Sequence, residues 1–146
     1  MHAELLARSL LPCFHYARTF MKTHVRPTFE DVFRPDAKGW QPRFELYRRS
    51  YKVKREDLTR LSGFAPRTIA SWASGEKPSP SSVRKLVEIH RFLQSLAELI
   101  EPSAIGPWLR APNPAFEGAT PLQLFERGES DRLWRMIYEL ESGQPG

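Results

Sequence analysis

Residues 53 to 78 read Val53-Lys-Arg-Glu-Asp-Leu-Thr-Arg-Leu-Ser-Gly-Phe-Ala-Pro-Arg-Thr-Ile-Ala-Ser-Trp-Ala-Ser-Gly-Glu-Lys-Pro78. Leu58 and Leu61 give a first helix its apolar edge, because side chains three or four residues apart share a helix face. Gly63 stops that helix, since a left-handed backbone is cheap only for glycine. Pro66 suits the first position of a second helix, where no backbone donor is needed. Ile69 and Trp72, three apart, form the buried face of this second helix, Gly75 ends it, and Pro78 blocks any continuation. Two short helices joined by a glycine turn, with Arg67, Thr68 and Ser71 on the open face of the second, make a helix-turn-helix.

The stretch resembles the Xre (phage-repressor-like) helix-turn-helix family. Leu58-Thr59-x-x-x-Gly63 falls where that family has Leu-Ala-x-x-x-Gly, and Thr68-Ile69-x-x-Trp72-x-x-Gly75-x-x-Pro78 falls on its Thr-Ile-x-x-Trp-x-x-Gly-x-x-Pro. The resemblance implies DNA binding. Arg67, Thr68 and Ser71, opposite Ile69 and Trp72, are the candidates for base edges, and Lys54, Arg55 and Lys77 for phosphates, which orient without specifying. Lys54 and Ala65 depart from the family, standing where Ser or Thr usually caps the two helices at a gain of about 1 kcal/mol each.

Upstream, Arg43 to Tyr51 is basic and helical, with Phe44, Leu46, Tyr47 and Tyr51 apolar. Arg48, Arg49, Lys52, Lys54 and Arg55 then place five positive charges within eight residues. That run is either a solvated helix end favoured by the helix dipole or a set of phosphate contacts. Downstream, Ser79-Pro80-Ser81-Ser82 offers capping chemistry for a long helix to about Ile100. Its stripe is Val83, Leu86, Val87, His90, Leu93, Leu96, Ala97 and Ile100, on which His90 reads as a packed core residue rather than a ligand. Ile89, Phe92 and Leu99 widen the stripe, so this helix needs cover on several sides and could carry a homodimer contact.

Charge divides unevenly over the 146 residues. Residues 1–40 hold six Lys/Arg against four Asp/Glu (+2), residues 41–101 twelve against seven (+5), and residues 102–146 four against six (−2). The positive charge therefore sits with the helix-turn-helix, as a phosphate-binding surface requires. A single cysteine, Cys13, excludes an internal disulfide framework and suits a reducing compartment. No apolar run approaches the roughly 18–20 residues needed to span a bilayer. Arg8 interrupts the only apolar run near the N-terminus, which argues against a secretory signal. A cytoplasmic protein is expected, with a transit peptide as the weaker alternative. Residues 1–42 read as an arm with helical pieces, Ala3–Leu11 and Cys13–Val25, followed by loop or linker over residues 26–42, where Pro27, Pro35, Gly39 and Pro42 break the chain. Cys13, His15 and His24 match no common zinc spacing.

In the tail, Ala104–Leu109 is a short helical segment and Arg110–Gly118 a loop set by two prolines, Asn113 and Gly118. Thr120-Pro121 starts a helix that Gly128 stops, and Ser130 caps a last helix, Asp131 to Ser142, ended by Gly143. The pattern Trp108-Leu109-x-x-Pro112-Asn113-x-x-Phe116-x-Gly118-x-x-Pro121-Leu122-x-Leu124-x-x-x-Gly128 resembles the toxin-binding domain of Xre/MbcA/ParS-type antitoxins. The resemblance implies a second partner, a RES-domain toxin that consumes NAD. It also implies that Trp108, Leu109, Asn113, Phe116, Gly118, Pro121, Leu122, Arg132, Trp134 and Tyr138 form the toxin-binding set. So short a segment buries little core by itself, so Trp108, Phe116, Phe125 and Trp134 must pack on the long helix or on a partner.

The expected fold is all-α, with a helix-turn-helix bundle over residues 43–101 joined by its long helix to a small helical module over residues 102–146. The expected function is that of an antitoxin that neutralises the toxin through its C-terminal module. It would bind operator DNA, as a homodimer, through the helix-turn-helix and so autoregulate its operon. The alternative is a DNA-binding regulator whose C-terminal module binds another protein or itself. No paired carboxylates, Cys/His dyad or glycine-rich phosphate loop points to an enzyme, a metal or a cofactor. If the two modules are separable, deleting residues 103–146 should spare DNA binding.

Overall fold

The computed structural model of the protein describes residues 26–33, 35–36, 39–40 and 42–143. The helical pieces expected over Ala3–Leu11 and Cys13–Val25, with Cys13, His15 and His24, lie outside the described residues, as do the last three residues. The architecture is all-α: α1 (Phe29–Phe33), α2 (Phe44–Tyr51), α3 (Arg55–Ser62), α4 (Pro66–Ala73), α5 (Pro80–Leu99), α6 (Ile105–Arg110), α7 (Pro121–Glu126) and α8 (Ser130–Ser142). Single 3-10 turns at Pro102–Ala104 and Pro114–Phe116 flank α6. Between α1 and α2, Pro35 pairs with Trp40 and Asp36 with Gly39 in a two-residue antiparallel bridge.

Local chemistry explains most boundaries. Gly63 sits at φ 74° and its N–H closes on the Thr59 carbonyl, so α3 ends where glycine permits. Ser79 caps α5 by accepting from the Ser82 N–H, and Pro80 occupies the first turn. Thr120 and Gln123 form a reciprocal capping box at the start of α7, where each side chain satisfies the other residue's backbone N–H. Lys54 and Ala65 make no side-chain cap. The gap before α3 is filled from inside the helix, because the Asp57 carboxylate accepts the Lys54 N–H at 2.8 Å.

The segment expected as loop over residues 26–42 carries α1 as a correction. Thr28 caps it reciprocally with Asp31, and Val32 and Phe33 are buried in the core. Its prolines break the chain only on either side of a one-turn helix that apolar burial holds in place. Phe29 and Phe33 stand edge-on to the His90 ring, with centroids 5.6 and 6.3 Å away. On another side of α5, Phe92 meets Phe125 at 4.9 Å and Trp134 at 5.6 Å, both edge-on. The long helix is thus covered on several sides, as its widened stripe requires, while Arg84, Arg91 and Glu98 keep one line of it open to solvent. One hydrophobic core runs from Val32 through Leu58, Trp72, Leu93 and Leu109 to Ile137, without a break at the start of the C-terminal segment.

Candidate functional site

The two short helices expected over residues 53–78 are α3 and α4. Ile69 and Trp72 are buried, and Phe64 from the turn stands edge-on to Trp72 at 4.9 Å. That packing turns the opposite face of α4 outward. Arg67 is exposed there, while Thr68 and Ser71 are half-buried. Lys77 is exposed in the connection that follows. Lys54 and Arg55 are exposed at the start of α3.

Lys54 and Arg55 are gathered with Arg48, Lys52 and Arg110 around an open cleft of about 520 Å3, completed by Phe44, Glu45 and Glu56. Arg67, Thr68, Ser71 and Lys77 are not among its lining residues. Two of the five cations are already paired: Arg48 binds Glu45, and Arg110 binds Asp57. The Arg48 guanidinium holds the Glu45 carboxyl below its usual range. Among the described residues, Lys54 and Arg55 have no carboxylate partner.

The wall of this cleft is fixed by the C-terminal segment. Asp57 is only 4% exposed, and a buried carboxylate is costly unless it is paired and hydrogen-bonded. It has both: the Lys54 N–H, and the Arg110 guanidinium, which also donates to the Lys52 carbonyl at 3.3 Å. Gly106 of α6 lies so close that a Cβ there would stand 2.0 Å from the Lys52 oxygen. Lys52 itself adopts φ 56°, a left-handed turn between α2 and α3. Arg60 of α3 adds a second link by pairing through two nitrogens with Glu126 of α7.

The residues of the expected partner-binding set divide by burial. Trp108, Leu109, Asn113, Phe116, Pro121 and Leu122 are buried within the chain's own core. Asn113 organises the loop: its side chain accepts the Ala115 N–H at 2.9 Å, and its backbone exchanges bonds with Gly118 and Ala119. Arg132 lies 5.8 Å over the Phe116 ring and pairs with Glu129. Gly118 is exposed and Trp134 half-buried, the latter at a cleft with Arg26, Arg91, Gln94, Ser95 and Glu98. Tyr138, on α8, is 71% exposed, and no other large apolar side chain among the described residues is as open. An amphipathic ring left in water is the kind of anchor that interfaces use.

The chain is similar to the mycobacterial cidal antitoxin MbcA of Mycobacterium bovis and of Mycobacterium tuberculosis. Identity is 26% over 89 residues in both, covering 60% of this chain and 79% of the relative. It also superposes on a chain of the crystal structure of the M. tuberculosis MbcT-MbcA toxin-antitoxin complex, with a TM-score of 0.54 and 22% identity, over 68% of this chain and 91% of that one. Over that span the fold is shared with that chain. No protein-family model matches the chain.

Several residues that the structure makes important escape a sequence reading. Asp57 carried a signal, since an acid three residues after a helix start is half of a capping box. Arg110 and Gly106 carried none. Their roles depend on α6 lying against the turn at Lys52, a contact between residues more than fifty positions apart. The buried pair of the Tyr47 hydroxyl and His90 Nδ1, 2.6 Å apart, spans 43 positions and was equally silent.

Proposed function

We propose that this protein is the antitoxin of a type II toxin-antitoxin system rather than an enzyme. The observation that carries the reading is its similarity to MbcA over most of that antitoxin's length, in a fold shared with a toxin-antitoxin complex. The partner is a RES-domain toxin that consumes NAD, and the two meet in the cytoplasm. The toxin docks on the C-terminal segment, where Tyr138, Trp134 and Gly118 offer an aromatic, solvent-facing surface. The buried members of the set, Trp108, Leu109, Asn113, Phe116, Pro121 and Leu122, act by holding α6, α7 and the Asn113 loop in shape beneath it, and Arg132 braces Phe116. As a homodimer, the protein binds the operator of its own operon, with Arg67, Thr68 and Ser71 at base edges and Lys54, Arg55 and Lys77 at phosphates.

The test is co-expression with a RES-domain toxin. Wild type should restore growth and co-purify with the toxin. Tyr138→Ala should weaken the complex by 1 kcal/mol or more, roughly the threshold for an interface anchor, with an unchanged melting temperature. Growth arrest that persists with wild-type protein present would reject the antitoxin reading.

A further inference from the structure

We infer that the cleft between α2, α3 and α6 is a second contact surface for the phosphodiester backbone of duplex DNA. In this reading the DNA footprint extends beyond the helix-turn-helix, to Arg48 and Lys52 and to a wall supplied by the C-terminal segment. The inference rests on the DNA-binding reading above and extends it.

Three observations carry it. First, five cationic side chains from three separate elements, Arg48, Lys52, Lys54, Arg55 and Arg110, converge on one concavity against only two lining carboxylates, Glu45 and Glu56. Second, the cations follow one line of chain, from the end of α2 through a left-handed turn into the start of α3. Four of them, Arg48, Lys52, Lys54 and Arg55, are exposed rather than sunk around a point. A compact anion needs convergent, buried donors, whereas a row of long, solvated cations matches a regularly charged polymer, which gains by releasing counterions. Third, the turn is held rigidly. Gly106 abuts the Lys52 carbonyl, and Arg110 ties that carbonyl to Asp57, so Lys52 and Lys54 are presented from a fixed backbone. Arg110 is thus a positioning residue and the others are the contacts.

Counterion release makes the idea measurable, because each phosphate contact adds about 0.9 to the slope of log affinity against log salt. The probe is a fluorescent random-sequence duplex of about 24 base pairs, titrated with the full-length protein over a range of salt concentrations. The first variant combines Arg48→Gln with Lys52→Asn, since asparagine tolerates the left-handed conformation at Lys52. The second removes the same net charge elsewhere, Arg127→Gln with Arg135→Gln. Melting temperatures confirm that both variants fold. The cleft variant should lose about 1.8 from the slope, two contacts at roughly 0.9 each, while the distant variant keeps the wild-type slope. Equal slopes for the two variants, or a cleft variant that matches wild type, would overturn the inference and leave the DNA reading standing. A wild-type protein that binds no duplex at low salt would remove the DNA reading, and the cleft with it.

Discussion

His90 shows how one side chain can be fixed by its surroundings. Its ring is 2% exposed, with the Tyr47 hydroxyl on Nδ1, Phe29 and Phe33 edge-on, and Nε2 without a partner among the described residues. Burial pushes its pKa down from 6.5 to about 4, and the same effect pushes the Tyr47 phenol up. The neutral imidazole is therefore the folded form, and the unfolded chain takes up the proton first. Stability from neutral His90 is complete above pH 6.5 and is lost as pH falls from there towards 4. Thermal melts should show the wild type losing more stability across that window than His90→Phe, which cannot titrate. Parallel pH profiles would mean that the ring is not buried neutral.

Among the elements, α6 is a six-residue helix whose effect exceeds its length. Its Trp108 and Leu109 enter the core, its Gly106 lets the backbone touch the α2–α3 turn, and its last residue neutralises Asp57. Alanine normally gains on glycine in a helix by roughly 0.5–1 kcal/mol. At Gly106 the new methyl would meet the Lys52 carbonyl at 2.0 Å, so the helix must back away from the turn. The net effect of Gly106→Ala should be a destabilisation of about 1–3 kcal/mol, the usual cost of overpacking, read as a lowered urea midpoint. A midpoint that rises instead would show that the contact is loose. The helices α3 and α4 were legible in advance because their boundaries depend on neighbouring residues: Gly63, Pro66 and the Ile69–Trp72 pair. The α1 helix was not, because Val32 and Phe33 are helical only with α2 and α5 to bury them.

For the whole molecule, the shared core changes what truncation should do. Sequence alone suggests that deleting residues 103–146 spares the DNA-binding part. In the structure that deletion strips Phe125 and Trp134 from Phe92, removes Glu126 from Arg60 and Arg110 from Asp57, and cuts Trp108, Leu109, Leu122, Leu133 and Ile137 out of the shared core. Each large core side chain withdrawn from burial costs about 1.5–3 kcal/mol, so a few together match the lower end of a small domain's total stability. A protein ending at residue 102 should therefore lack a cooperative thermal transition, and the DNA binding proposed for it should fail with its fold. A truncated protein that melts cooperatively and binds duplex like the full chain would show that the two parts are independent after all.

The sequence by itself determined the all-α class, the short helices α3 and α4, the last helices and the partition of charge. Each is written in short-range periodicity, caps and breakers, where a residue's neighbours in the chain are also its neighbours in space. Only the tertiary structure decided which of the expected partner-binding residues remain available and which are spent on the core. Trp108 and Tyr138 look equally suited to an interface as letters, yet one is buried and the other open. It also decided that Arg110 belongs with Asp57 and that Arg48, Lys52, Lys54 and Arg55 of the basic run line a cleft. Those facts arise from contacts between distant parts of the chain, and no local pattern carries the information for them.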